Sequence, residues 1–387
     1  MTDPGPASRC RSCGSRVLAP IVDLGPQPDP DHLLDPRSEG DAPSAPIELA
    51  ICTVCGLMQL VGPRPEGPRP PHGHGATSTT ADVSRDRWMS DRIGSVPTGH
   101  RLAVEVDSSD KDVTLALAES GIAVKAFEAV APEQGRQVGL VLAGHALTHV
   151  EDPDALVSGI ERILAPDGLL AVEFHHVLGL AEGQFDVLSH VHRSYFSLHS
   201  LERLLDRHAL VVIAAERTAR FGGSLRVLAG RQRTSPRLDG WSSSVLERIR
   251  QAEREARVAD PEAYASLPAQ VTRACDALRV FLDGAKSDHL TVAGYGAAAR
   301  GTALLNMARV SRDQLPFTVD RSPAKQGQLL PGSRIPIHEP AAIEARRPDY
   351  ILVLPWPLAA EITAQWAVAR TWGARFVVAM PRIEILV

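Results

Sequence analysis

Four of the five cysteines fall in two pairs, Cys10-x-x-Cys13 and Cys52-x-x-Cys55, each followed at once by a glycine, Gly14 or Gly56. Two intervening residues let both sulfurs of a pair face one ion, and the glycine permits the tight turn beneath it. Two such knuckles close a tetrahedron of four thiolates, the ligand set of a structural zinc site with no open position for catalysis. The long gap between the pairs requires the second to return in space to the first. Cys275, alone in a helical stretch, reads as a small core residue. Histidine is the second residue type able to do chemistry. His145, His149, His175, His176, His190 and His192 crowd one stretch of the chain. An imidazole with a reference pKa of ~6.5 takes and returns a proton near neutrality. His190-x-His192 also has a chelating spacing, with Asp186 the only carboxylate close by in sequence, although no familiar metal-ligand spacing joins the three.

The elements that must position these residues follow from the apolar periodicity. From Arg101 onward short apolar runs alternate with amphipathic ones. Leu102–Val106, Ala123–Phe127, Val138–Ala143 and Leu169–Phe174 read as strands, with helices over Val113–Glu119 and Pro153–Leu164. Such alternation predicts a mostly parallel, doubly wound α/β sheet. A charged segment of helical period, Leu246 to Phe281, then connects to a second alternating pattern. Its strands are Leu290–Ala293, Phe317–Val319 and Tyr350–Leu354, with a helix after Gly296. A Pro/Gly/His-rich linker, Pro63 to Gly75, separates the cysteine region from the rest. The expected organisation is a zinc-binding module over 1–70, a Rossmann-like domain over 76–232, a helical connector over 233–285 and a smaller Rossmann-like domain over 286–387.

With 387 residues, 44% hydrophobic and 22% charged, and a net charge of -5, the chain reads as soluble and multidomain. Neither nucleic acid nor a membrane is an expected partner. No apolar run reaches the ~20 residues of a membrane span, and Met1 to Arg11 holds no signal-peptide core. Paired cysteines in a metal-binding pattern point to the reducing cytoplasm.

The stretch Asp23-Leu24-Gly25-Pro26-Gln27-Pro28 between the knuckles, and Cys52-Thr53-Val54-Cys55-Gly56-Leu57, resemble the N-terminal module of the zinc-containing, S-adenosylmethionine-dependent sugar C-methyltransferases. Gly294-Tyr295-Gly296-Ala297-Ala298-Ala299-Arg300-Gly301 and Asp320-Arg321-Ser322-Pro323-Ala324-Lys325-Gln326-Gly327 are similar to that family's two C-terminal signatures. The resemblance implies a truncated class I methyltransferase-type domain in the middle and a nucleotide-linked ketosugar as substrate, with thymidine diphosphate as its carrier. In the family the C-terminal domain helps hold the sugar nucleotide, which makes Gly294, Tyr295, Gly296, Arg300 and Lys325 the candidate substrate-binding residues. A strand ending in Gly-x-Gly and opening a helix offers backbone N–H groups to an anion, but close strand–helix packing requires the same glycines. The third glycine and the ribose acid of a dinucleotide fingerprint are not found, so NAD is not expected.

The middle domain departs from the family. A methyltransferase turn needs glycines so that the backbone can approach the methionine half of its cofactor. Here the turn reads Glu105-Val106-Asp107-Ser108-Ser109-Asp110-Lys111-Asp112, with Asp107 and Lys111 at the two glycine positions. Glu128 still fits the acid for the ribose hydroxyls, and Glu105 and Asp110 are the other candidate cofactor residues. The chain between Glu128 and Val138 is too short for the strand and loop that flank the adenine. The resemblance also carries proton-transfer roles onto His149, ending Gly144-His145-Ala146-Leu147-Thr148-His149, and onto His192 of Ser189-His190-Val191-His192. His190 is an added catalytic candidate beside it. The family tyrosine and glutamate of that element have become Ser189 and Val191, and another family tyrosine is replaced within His72-Gly73-His74.

Three functions follow as expectations. The first is proton abstraction beside a ketone without the methyl donor, giving epimerisation or isomerisation with His149 and His192 as acid and base. The second is methyl transfer through a divergent cofactor turn, and the third is a non-catalytic, auxiliary sugar-nucleotide-binding protein.

Overall fold

The computed structural model describes residues 9–65, 100, 102–106, 117, 121–129, 138–231 and 243–386. The cysteine region folds as an antiparallel sheet of β1 (Leu18–Pro28), β2 (Ser44–Cys52) and β3 (Met58–Leu60). Alternate residues Ile47, Leu49 and Ile51 of β2 point inward, the two-residue period of a half-buried strand. The pairing of β1 with β2 shifts between Asp23 and Pro26, where a proline cannot donate to the ladder. There Asp23 accepts the Gly25 N–H at 2.8 Å, so the motif resembling the family is a bulge turn.

The central sheet contains β4 (Leu102–Glu105), β5 (Ala123–Ala126), β6 (Val138–Leu142) and β7 (Leu164–His175), all parallel. A short strand, β8 (Ser194–Tyr195), leaves this region and adds to the cysteine sheet beside β3. Two strands not anticipated from periodicity, β9 (Leu210–Thr218) and β10 (Ser224–Arg231), complete the central sheet as an antiparallel pair. Its order is β5-β4-β6-β7-β10-β9. The chain steps outward from β4 to β5 and then returns to the other side of β4 with β6. A crevice opens at the carboxyl ends of the strands at such a switch point. Glu105 ends β4, His145 and His149 follow β6, and His175 ends β7, so the sheet delivers them to one edge.

The third sheet is also parallel apart from its last strand. It comprises β11 (Val292–Tyr295), β12 (Thr318–Val319), β13 (Ile337–His338), β14 (Tyr350–Val353), β15 (Arg375–Val378) and β16 (Glu384–Leu386), in the order β13-β12-β11-β14-β15-β16. The charged connector is two helices, Ser243–Glu255 and Leu267–Ser287, broken at Asp260-Pro261 where the aspartate caps a short turn. The second is more than a connector. It buries Leu267, Val271, Cys275, Leu278, Leu282 and Ala285 in one core with Ile47 of the cysteine sheet and Leu352 of the third sheet. Among the described residues no helix is long and apolar enough to cross a membrane. The expected helix Val113–Glu119 and the His72–His74 stretch lie outside the described residues, apart from Leu117.

The first connector helix supplies Glu253, a buried carboxylate that organises the cleft from behind. It accepts the N–H groups of Leu198 (2.5 Å) and His199 (2.9 Å), the free donors at the start of helix Leu198–Asp206, and bonds His176 Nε2 at 2.7 Å. Replacing Glu253 by alanine leaves all three donors without it. Glu253→Ala should therefore cost about 2–4 kcal/mol in a guanidinium unfolding titration. Glu253→Gln, which keeps an acceptor oxygen, should cost less than half as much. Equal losses would place the effect in packing rather than in these bonds.

Candidate functional site

The four cysteines converge as their spacing requires. Cys10 and Cys55 Sγ lie 3.5 Å apart, Cys13 and Cys52 Sγ 3.6 Å, and all four sulfurs fall within 4.8 Å of one another. A tetrahedron with ~2.3 Å zinc–sulfur bonds has edges of ~3.8 Å, so the cage fits that ion. Gly14 (φ 71°) and Gly56 (φ 74°) take the left-handed conformation at the knuckle turns. Through its hydrogen bond with Cys10 the Cys55 thiol is held down to about 5, and the same bond pushes Cys10 up. Such a set ionises cooperatively around a dication. Arg207 bonds the Ser12 hydroxyl at 3.0 Å and Asp154 at 2.8 Å, tying the first knuckle to the central domain.

Four of the six histidines meet in one cleft. His145 caps the start of the single-turn helix Ala146–His149 and His149 is its last residue, His175 ends β7, and His192 lies just before β8. The rings of His149 and His192 stack at 5.4 Å and 8°. His175 stands 5.2 Å from His192 and 5.1 Å from His145. His192 Nδ1 lies 2.9 Å from the Val187 carbonyl, which can only accept, so Nδ1 carries the hydrogen and Nε2 is left as the basic nitrogen. Protein surrounds His192 although part of its surface stays accessible. Burial, then the neighbouring His149, lowers its pKa to about 3 despite the Val187 bond, and burial drives His175 down as well. Both are neutral bases at physiological pH.

The His149 end of the cleft is fixed by charge. Arg11 and Arg64 of the cysteine module and Arg193 all reach Glu151. Burial works against ionising Glu151, but Arg193, Arg64 and Arg11 hold its carboxyl below the ordinary value. Burial pushes Arg193 down to about 10. Arg64 also donates to the His149 carbonyl at 3.1 Å, and the Arg193 amide to the Thr148 carbonyl at 2.7 Å.

Two of the crowded histidines do other work. His190, expected as a catalytic candidate, is fully buried, with Nε2 2.9 Å from the Ala45 carbonyl of β2. It fastens the cleft segment to the cysteine sheet. His176 is paired with Glu253. Nor does Asp186 join His190 and His192 as a metal ligand. Its buried carboxylate takes a two-bond ion pair from Arg300, at 2.7 and 2.8 Å, and the Trp356 indole N–H at 2.9 Å.

The candidate substrate residues of the third sheet need the same correction. Arg300 is committed to Asp186 and to the Phe221 carbonyl, which leaves a phosphate little of its guanidinium to bind. Lys325 Nζ donates to the Ala297 carbonyl at 2.9 Å, and Tyr295 is 4% exposed with its ring against Trp366. The N–H groups expected to meet an anion are already bonded, Gly296 to Val319 O at 2.6 Å and Ala297 to Asp320 Oδ2 at 2.7 Å. Asp320, just after β12, is spent on this turn, accepting the Ala297 N–H at 2.7 Å and the Ser322 N–H at 2.8 Å. A Cβ on Gly296 would sit 2.6 Å from the Pro355 ring, and one on Gly294 2.7 Å from Thr318 Oγ1. These glycines serve close packing.

For S-adenosylmethionine the described residues fit in part. Glu105 is buried at the end of β4, and Glu128 is exposed in the turn after β5, where adjacent parallel strands would present acids to one ligand. Asp107, Lys111 and Asp110 lie outside the described residues, as does the 130–137 stretch beyond Glu128.

Comparison with known proteins matches consecutive parts of the chain to three family models. Residues 10–65 match a zinc binding domain, 73–215 a methyltransferase domain, and 219–381 a C-methyltransferase C-terminal domain. The C-methyltransferase NovU of Streptomyces niveus is 29% identical over 413 residues, covering 98% of this chain and 97% of that one. These consecutive matches, together with the likeness to NovU, are consistent with the zinc-containing C-methyltransferase family. Among solved structures, the magnesium protoporphyrin IX methyltransferase of Synechocystis PCC 6803 with bound SAH is 16% identical, with 42% of this chain and 91% of that one covered and a TM-score of 0.31. The 1,6-didemethyltoxoflavin-N1-methyltransferase of Burkholderia thailandensis is 15% identical over 45% and 95%, with a TM-score of 0.30. Likenesses this slight carry no functional information.

Two outcomes test the site as built. Purified protein should carry one zinc per chain by elemental analysis, and Cys52→Ser should lose it; full zinc in that variant would exclude the cage. The second concerns acid. Between pH 6.5 and about 3 the unfolded chain binds a proton at residue 192 that the folded chain refuses, so stability falls as pH drops below 6.5. The loss should reach about 2 kcal/mol by pH 5, His175 adding in the same direction. His192→Asn, which can keep the bond to Val187, should make this acid limb shallower by one proton; an unchanged slope would show that His192 is not neutral in the fold.

Proposed function

We propose that the protein acts on a nucleotide-linked ketosugar, carried on thymidine diphosphate, and removes the proton from the carbon beside the ketone. The stacked His149–His192 pair is the observation that carries this reading. Nε2 of neutral His192 takes the proton as the C–H bond breaks, and the electron pair moves onto the carbonyl oxygen to give an enolate. His149, 5.4 Å away and partly accessible, is placed to return a proton. Return of the proton to the opposite face of the same carbon gives epimerisation; protonation of the former carbonyl carbon of the enediol, with the adjacent hydroxyl losing its proton to become the new carbonyl, gives isomerisation, in each case without a methyl donor. S-adenosylmethionine, where bound, supplies a methyl group, and Glu105 and Glu128 are the described residues that would hold it. Asp107 and Lys111 at the glycine positions of its turn argue against productive binding.

Methyl transfer to the same carbon is the second reading, favoured by the end-to-end likeness to NovU. Both readings need the same deprotonation. A sugar-binding protein without catalysis is a third outcome, supported by the loss of the family tyrosine and glutamate at Ser189 and Val191.

Incubation with a thymidine-diphospho-4-ketosugar in deuterium oxide should exchange hydrogen beside the ketone with no methyl donor added. His192→Ala should slow that exchange by ~100-fold or more, the usual worth of a placed general base. Exchange seen only with S-adenosylmethionine, or micromolar binding of S-adenosylhomocysteine in calorimetry, would make methyl transfer the first choice. Binding of the sugar nucleotide without exchange would leave only the binding protein.

A further inference from the structure

The turn joining β9 to β10, Arg220–Gly222, carries a bulky residue where the backbone disfavours one. Phe221 adopts φ 52° and ψ 25°, the left-handed region, which for an aromatic residue is a strained conformation. Strain of this kind persists only where surrounding contacts hold it, and it clusters where a side chain must be aimed. Three contacts hold it here. Arg300, clamped on Asp186, donates to the Phe221 carbonyl. Gly222, at φ 84°, lies so close to Trp356 that a Cβ would come within 2.7 Å of that ring. Gly223 accepts the His176 N–H at 3.1 Å, which locks the turn to the end of β7.

The result aims the ring at the cleft. Phe221 meets His145 at 5.5 Å and His175 at 5.7 Å, both edge-on, and 37% of the residue stays exposed. A residue needed only for packing would be buried, and a residue needed only for the turn would be glycine. We propose that Phe221 is a substrate-contacting residue that determines specificity: its exposed ring packs against the C–H face of a deoxygenated hexose bound over the histidines. An aromatic ring is favourable against C–H groups, whereas a hydroxyl held over the same ring loses its hydrogen bonds to water. The site would therefore prefer a sugar ring that has lost hydroxyls. This rests on the ketosugar reading above and adds to it the wall that reads the ring.

Calorimetry separates the two. The ligands are thymidine diphosphate, thymidine-diphospho-glucose and a thymidine-diphospho-4-keto-6-deoxyhexose, each titrated into the full-length zinc-loaded protein and its Phe221→Gly and Phe221→Ala variants. Wild type should favour the deoxysugar nucleotide over the glucose nucleotide. Both variants should bind the deoxysugar nucleotide about tenfold more weakly, the loss expected for one aromatic packing contact, with thymidine diphosphate alone unchanged. Phe221→Gly relieves the backbone strain, so its melting temperature should hold or rise while affinity falls. A structural role for the ring would lower both together. Unchanged deoxysugar affinity in Phe221→Gly overturns the inference and leaves the ketosugar reading standing. Failure of wild type to bind either sugar nucleotide overturns both.

Discussion

A single buried carboxylate joins the parts of this molecule. Asp186, its side chain 1% exposed, sits on a short turn of the central domain and takes two bonds from Arg300 and one from Trp356. An ionised carboxylate withdrawn from water is costly unless its oxygens are fully bonded, and here charge-assisted donors from the third sheet supply the bonds. Arg300 begins the helix that follows β11 and Trp356 follows β14, so the carboxylate can be satisfied only when that sheet is seated against the cleft. The same guanidinium reaches the Phe221 carbonyl, and its charge contributes to keeping His175 and His192 neutral. Domain docking, loop conformation and imidazole protonation thus share one ion pair.

The cysteine module plays the corresponding part at the other end. Its knuckles set the start of β1 and the turn between β2 and β3, and β3 in turn receives β8 from the central domain. His192 lies two residues before β8, and His190 bonds β2 directly. A closed set of four thiolates has no free coordination position, so its contribution is to hold these strands. Through β3, β8 and the arginines on Glu151, that rigidity reaches the stacked histidines.

The neutral state of His175 and His192 is a consequence of this enclosure. A protonated ring at either position would face its histidine neighbours and Arg300 in a site largely withdrawn from water, so burial and like charge act in the same direction. The cost appears as acid sensitivity of the fold, and the gain is a base that keeps its lone pair throughout the physiological range.

The amino-acid sequence by itself determined the zinc ligands, because a knuckle is a local turn and its spacing shows directly. It also determined the parallel strands β4, β6 and β7 and the helix after β11, whose apolar periods are local. The resemblance of motifs placed His149 and His192 together, although the chain separates them by forty-odd residues. Other matters were decided only in three dimensions. His190 and His192 stand two residues apart, yet one is anchored in the cysteine sheet and the other faces the cleft, because β8 crosses between sheets there. Arg300 and Lys325 read as free cations until folding supplied Asp186 and the Ala297 carbonyl, partners remote in sequence. Gly294 and Gly296 fit an anion cradle by pattern, but Thr318 and Pro355 pack directly against them and leave no room for a Cβ. No motif singled out Phe221; that its backbone takes a left-handed conformation with the ring against two histidines depends on Trp356 and Arg300, more than seventy residues away. Local physics is written in neighbouring residues, whereas charge satisfaction and close approach depend on which distant groups the completed core brings together.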